Sequence, residues 1–168
     1  MHGRRPTLEK PGPGQESVWD YPRPPRAERV HRRAVLRHAG VVVAESDDLV
    51  RLLETGHPPT YLLPRTAFTE GMLTVVDRRT FCEWTGIAHY VDISVPGADP
   101  LRSVGWWYAQ PDARYPELTD RVAVYVAPFD EIRLDDQVVR PQPGGIYGGW
   151  VTGEIVGPFK GAPGSQDW

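Results

Sequence analysis

Glycine and proline punctuate this chain closely enough to rule against long helices: 17 and 18 of its 168 residues, respectively. Proline removes a backbone donor and clashes with the preceding helical turn, while glycine weakens the interior of any regular element. Short strands joined by many turns are what such spacing allows. A hydrophobic content of 40% and a charged content of 24% are those of a soluble globular chain. At this length one domain with its own core is expected.

Period-two patterning supports that reading. From Gly86 onward, Ile87, His89 and Val91 alternate with Ala88, Tyr90 and Asp92, so one strand face carries the imidazole and the other the phenol. Further strands are predicted over 29–38, 41–45, 61–63, 72–76, 101–109, 122–127 and 131–139. Gly40 serves as a hairpin turn and Asp135-Asp136 as a turn within the last segment.

One helix is predicted, near 46–55. Ser46 is its cap, Asp47 and Asp48 suit the positive end of its dipole, and Leu49, Val50, Leu52 and Leu53 form its apolar face. Gly56 and Pro58-Pro59 would stop it, leaving His57 where the dipole favours the protonated form. The fold class is therefore mainly β with a single helix.

Residues 1–17, with Pro11-Gly12-Pro13-Gly14, read as a disordered arm, and 18–168 as a single β-rich domain in which Trp19 and Tyr21 anchor the first segment. The last thirty residues interleave glycine with Tyr147, Trp150, Phe159 and Trp168. A flexible linker would carry serine in those places, so an ordered strap across the body is expected.

The net charge of −3 divides into +5 over residues 1–40 and −8 over the remainder. The basic part either docks on the acidic remainder or meets a phosphate-bearing ligand; overall, nucleic acid is not expected as a partner. No run approaches the 18 or so apolar residues of a membrane-spanning helix. The first residues lack the apolar core of a signal peptide, and Cys82 stands alone, so a cytoplasmic location is expected.

No paired cysteines occur, and His2, His31, His38, His57 and His89 show neither H-x-x-x-H nor H-x-H spacing, so no metal is expected. The glycines at 144–149 lack the Lys-Ser/Thr of a phosphate loop, and there is no G-x-S-x-G elbow. Acid–base chemistry without a cofactor is what remains.

Glu54 and His57 are near enough in sequence to share a site. Cys82 is a nucleophile or a small buried hydrophobe; His89 is a base or a structural residue; Tyr61 and Tyr90 are phenolic donors. In Trp106-Trp107-Tyr108, the first and last share a strand face, and with Trp84 they form a candidate cage for a planar or cationic ligand.

Several motifs occur in order along the chain. They are Trp19-Asp20-Tyr21-Pro22-x-Pro24-Pro25, Leu53-Glu54-Thr55-x-His57-Pro58-Pro59-Thr60-Tyr61, Cys82-Glu83-Trp84-x-Gly86-x-Ala88-x-Tyr90 and Trp106-x-Tyr108-x-x-Pro111. Gly148-Gly149-Trp150-Val151-Thr152 and Val156-Gly157-Pro158-Phe159-Lys160-Gly161-x-Pro163-Gly164 follow. From about Glu16 to Trp168 the chain thus resembles domain-of-unknown-function family 427. The resemblance implies an Mss4-like β-tent, the architecture of methionine sulfoxide reductase B and of cereblon's ligand-binding domain. The four-cysteine zinc of those relatives is expected to be missing here. A nucleotidyl-transfer label attached to the family finds no Gly-Ser followed by paired aspartates in this chain. Two departures stand out: Thr85 where the family pattern has lysine, which leaves a smaller neutral wall, and Leu62 where it has a second tyrosine.

The leading functional expectation is a cofactor-independent enzyme of lyase, isomerase or hydrolase type acting on a small organic molecule. Glu54, His57, Tyr61 and Cys82 would carry the chemistry, with Glu54 as base and Tyr61 or His57 as acid. Trp84, Thr85, His89, Tyr90, Trp106 and Tyr108 would hold the ligand. The alternatives are a non-catalytic module that binds a small ligand in an aromatic cage, and an adaptor that uses the basic arm.

Overall fold

A computed structural model describes residues 4–168. Its strands in chain order are β1 (Glu16–Ser17), β2 (Arg26–Val30), β3 (Ala34–His38), β4 (Val41–Ser46), β5 (Leu49–Leu53), β6 (Thr60–Pro64), β7 (Leu73–Cys82) and β8 (Gly86–Ile93). They continue as β9 (Leu101–Trp107), β10 (Arg121–Val124), β11 (Glu131–Leu134), β12 (Gln137–Val138), β13 (Arg140–Pro141), β14 (Trp150–Val151) and β15 (Ile155–Val156). Among the described residues the helices are single 3-10 turns of three residues, so the fold is mainly β.

A seven-stranded antiparallel sheet in the order β2-β5-β6-β10-β9-β8-β7 packs on a four-stranded one, β12-β11-β3-β4. Leu63, Val91, Ile93, Val122 and Val124 of the larger sheet meet Leu36, Val43, Ile132 and Leu134 of the smaller, all essentially without solvent contact. Each fully buried aliphatic side chain of this kind contributes about 1.5–3 kcal/mol of apolar transfer. Trp150, 1% exposed, closes the same core.

The expected helix near 46–55 is not formed. The Ser46 hydroxyl accepts the Asp48 amide at 3.0 Å, capping a tight turn instead of a helix and carrying the chain from β4 of the smaller sheet into β5 of the larger. The cluster Leu49, Val50, Leu52, Leu53 fits a helical face, but it equally fits a strand covered on both sides. Leu49 enters the main core, Val50 and Leu52 a second cluster on the far face of the sheet, and Leu53 a third beneath Val18 and Tyr21. Gly56 does adopt a left-handed conformation (φ +85°), in the turn between β5 and β6.

The amino-terminal stretch read as an arm lies in part outside the described residues (1–3). From Glu9 onward it meets the end of the chain: the Glu9 amide donates to the Gly157 carbonyl, and β1 pairs in parallel with β15. The Trp19 indole N–H donates to the Pro158 carbonyl at 2.7 Å. Several arginines of the basic part pair with acids from the remainder. Arg32 engages Asp135 and Glu154, and Arg33 engages Glu45.

Candidate functional site

The second face of the seven-stranded sheet is covered only in part. Side chains alternate along each strand, so Leu52, Thr60, Ala88, Tyr90 and Trp106 all leave from this face. They line a cleft of about 500 Å³. Cys82, Trp84 and Tyr108 bound one side, and the chain from Gln142 to Gly148 overhangs the other. The overhang depends on a glycine: a Cβ at Gly148 would run into the Trp106 ring. Trp106 in turn lies 4.9 Å, centroid to centroid, from Tyr125.

Charge gathers near the β5–β6 turn, where Glu54, His57, Arg23 and Lys160 all reach the cleft. Arg23 Nη2 is 3.5 Å from Glu54 Oε2, and His57 Nε2 is 3.8 Å from the same oxygen. The protonation of the imidazole follows from its other neighbour. The Gly149 amide donates to Gln142 Oε1, so Gln142 Nε2 faces Lys160 O at 2.8 Å and His57 Nδ1 at 3.0 Å. Facing an N–H, Nδ1 must accept, and the ring proton therefore sits on Nε2, toward Glu54.

Burial, with Lys160 and Arg23 nearby, pushes the His57 pKa down to about 4. This reverses the sequence-based expectation of a protonated histidine: no helix dipole acts there, and desolvation dominates. Burial foremost, and then Arg23, also lower the Lys160 pKa, against an opposing pull from Glu54. Burial raises Tyr108 well above the usual phenol range, with Cys82 adding to it, and Tyr125 rises to about 12, again chiefly by burial.

Of the residues singled out from sequence, Glu54, His57, Cys82, Trp84, Tyr90, Trp106 and Tyr108 converge on this cleft. Tyr61, Thr85 and His89 do not line it. Tyr61 lies between Thr60 and Leu62 in β6, so alternation turns it into the main core, 5.0 Å from Trp150. His89 leaves from the opposite face to Tyr90 and lies 6.0 Å from Trp107, which Arg65 covers. Thr85 is buried at the β7–β8 turn, where its carbonyl accepts the Asp112 amide.

Arg23, Thr60, Tyr125, Gln142, Tyr147 and Lys160 were not foreseen. Lys160 left no signal of its own: it is one of two lysines against 17 arginines, and the other, Lys10, is exposed in the amino-terminal segment. Arg23 and Gln142 each sit between prolines, in segments whose backbone is held extended.

Among the described residues no three or more His, Cys, Asp or Glu side chains converge as a metal ion would require. No helix there is long and apolar enough to cross a membrane.

Residues 26–135 match the family described as a domain of unknown function, DUF427. The chain belongs to that family. The DUF427 match covers β2 through the turn after β11 and so includes the whole seven-stranded sheet with the cleft floor, and the four-stranded sheet except its edge strand β12. Lys160 and the overhang from Gln142 to Gly148 come from beyond the matched segment. No curated protein matches the chain.

Proposed function

We propose that this DUF427 protein is an enzyme acting by acid–base catalysis on a small organic molecule, with neither metal nor cofactor. The observation that carries the reading is the Glu54–His57 pair. A carboxylate faces an imidazole N–H across 3.8 Å at the charged end of a cleft otherwise walled by aromatic rings. That gap is too long for a direct hydrogen bond, and a substrate oxygen beside it comes within reach of both groups.

Glu54 is the base. His57 acts as a neutral donor, its Nε2–H polarising a substrate carbonyl while Gln142 holds the ring. Trp84, Tyr90, Trp106 and Tyr108 supply stacking surface, and Arg23 favours an acidic substituent on the ligand. Lyase and isomerase chemistry suits this pair best, since both begin with proton removal beside a carbonyl. We read the segment from Pro141 to Trp168 as a strap that completes the cleft, supported by buried Trp150 and by Tyr147 packed 4.7 Å from His57. We also read the two facing sheets as an Mss4-like tent. The lone cysteine supports a cytoplasmic setting.

Proton exchange in deuterium oxide tests the reaction class without knowledge of the natural substrate. With phenylpyruvate as probe, NMR should show faster α-C–H exchange on adding the protein. Glu54→Gln should remove at least about 90% of that acceleration, within the range for a lost general base, while phenylpyruvate still quenches tryptophan fluorescence. Quenching by wild type with no exchange would favour the non-catalytic binding module, for which the ring-lined walls are the supporting observation.

A further inference from the structure

Lys160 is the one lysine in the cleft, and its setting differs from that of every arginine paired at the surface. Its alkyl chain crosses the β5–β6 turn so closely that a Cβ at Gly56 would come within 3.0 Å of Lys160 Cε and 3.2 Å of the Trp19 ring. Gly56 is therefore needed twice, for its left-handed backbone and for the passage of this side chain. The backbone on either side is also held: the Lys160 amide donates to the Gly56 carbonyl at 2.9 Å, and its carbonyl accepts from Gln142. The stem is thus fixed from three directions and the amine is delivered to the cleft beside Glu54, His57 and Arg23.

Among the described residues no hydrogen bond holds that amine; Arg23 opposes its charge and Glu54 alone favours it. A lysine that served as a structural cation would be paired, and arginine does that work elsewhere in this chain, as Arg32 and Arg51 do. A desolvated amine next to a second cation matches the conditions under which lysine becomes a nucleophile.

We infer that Lys160 forms a Schiff base with an aldehyde or ketone bearing an acidic substituent, so that the cleft takes carbonyl acids as its substrate class. This rests on the acid–base reading above and adds a covalent step to it. The neutral amine attacks the carbonyl carbon, forming a C–N bond as the C=O electron pair moves to oxygen. The His57 Nε2–H, in hydrogen-bond reach, stabilises that oxygen. Glu54 carries one proton from the attacking nitrogen to that oxygen, making it a hydroxyl; the second nitrogen proton then follows by the same route, and the oxygen leaves as water. The product is an imine, and no oxidant or reductant is consumed. Arg23 faces the acidic substituent, and Trp106 with Tyr90 the planar part.

Two lysines make the test self-referencing, because Lys10 is exposed and serves as the internal standard. The folded protein is treated at pH 7 with 4-carboxybenzaldehyde and cyanoborohydride, and adducts are located by peptide mass mapping. The expected result is reductive alkylation of Lys160 at least about tenfold faster than of Lys10, the advantage of a positioned amine. Unfolding in urea should remove the preference, as should excess terephthalate, which has the same acid group but no aldehyde. Lys160→Arg, with its fold checked by circular dichroism, should show no fast adduct; should that variant fail to fold, the wild-type ratio still decides.

Lys160 labelling no faster than Lys10, or equally fast in urea, would overturn the inference. Exchange of phenylpyruvate protons that depends on Glu54 would survive such a result, so loss of the covalent step and loss of the acid–base reading are separately visible.

Discussion

The two faces of the seven-stranded sheet come from the same strands and differ in nearly everything else. On one, Leu63, Val91, Val122 and Val124 are aliphatic and closed over by the four-stranded sheet. On the other, Thr60, Tyr90, Trp106 and their neighbours leave a cleft, with charged groups at one end. Adjacent residues thus meet different fates: Tyr61 packs against Trp150 in the core while Thr60 faces the cleft, and His89 turns away while Tyr90 turns in. The comparison teaches that this fold separates stability from candidate chemistry by strand parity. One face carries the larger closed core; the other, beside a smaller apolar cluster, leaves room for buried titratable groups that a closed core would not tolerate unpaired.

Replacing the tryptophan of each face measures that separation most directly. Trp150→Ala should cost about 3–5 kcal/mol in urea unfolding, the loss expected for a large ring removed from a closed core. Trp106→Ala, from a ring already part-exposed at the cleft, should cost less than half as much. Equal losses would mean that the second face is as much a core as the first.

The next effect concerns pH. His57 has a folded pKa of about 4 against an ordinary value of 6.5, so above pH 6.5 it is neutral in both states and its contribution to stability is complete. Between 6.5 and 4 the unfolded chain takes up a proton that the folded one refuses, and stability falls; below 4 the loss levels off. The full effect is on the order of 3 kcal/mol at 1.36 kcal/mol per pH unit. Unfolding midpoints of wild type and His57→Gln across pH 4–7 should differ in slope, with the variant flatter. Parallel curves would place the imidazole in water, not in a desolvated cleft.

Gly148→Ala probes the lip between the two regions. The added methyl meets the Trp106 ring, so the overhang must shift, costing about 1–3 kcal/mol as overpacking does. Quenching of Trp106 by an aromatic acid should weaken in parallel. A variant as stable as wild type would show that the overhang is not seated on the ring.

Much of this was legible in the residues themselves. Glycine and proline spacing determined a fold of short strands, because both residues disfavour helix interiors wherever they fall. Alternation determined which of Ala88, His89 and Tyr90 share a face, since a strand's period is fixed by covalent geometry. The motif residues Glu54, His57, Trp84 and Trp106 were singled out together, and the family match over 26–135 bears out the resemblance.

Tertiary structure alone decided the rest. Leu49-Val50-x-Leu52-Leu53 satisfies both a helical stripe and a doubly buried strand, and only the presence of cores on both sides of β5 selects the strand. Alternation could say that Tyr61 and Thr60 part company, but not which face would be sealed, because that depends on where β3, β4 and β11 come to rest. Lys160 is more than a hundred residues from Glu54, so no local pattern connects them; the carboxy-terminal segment had to cross Gly56 to bring its amine there. The His57 proton was likewise beyond reach of the sequence, since burial and the Gln142 amide, not the neighbouring residues in the chain, set its state.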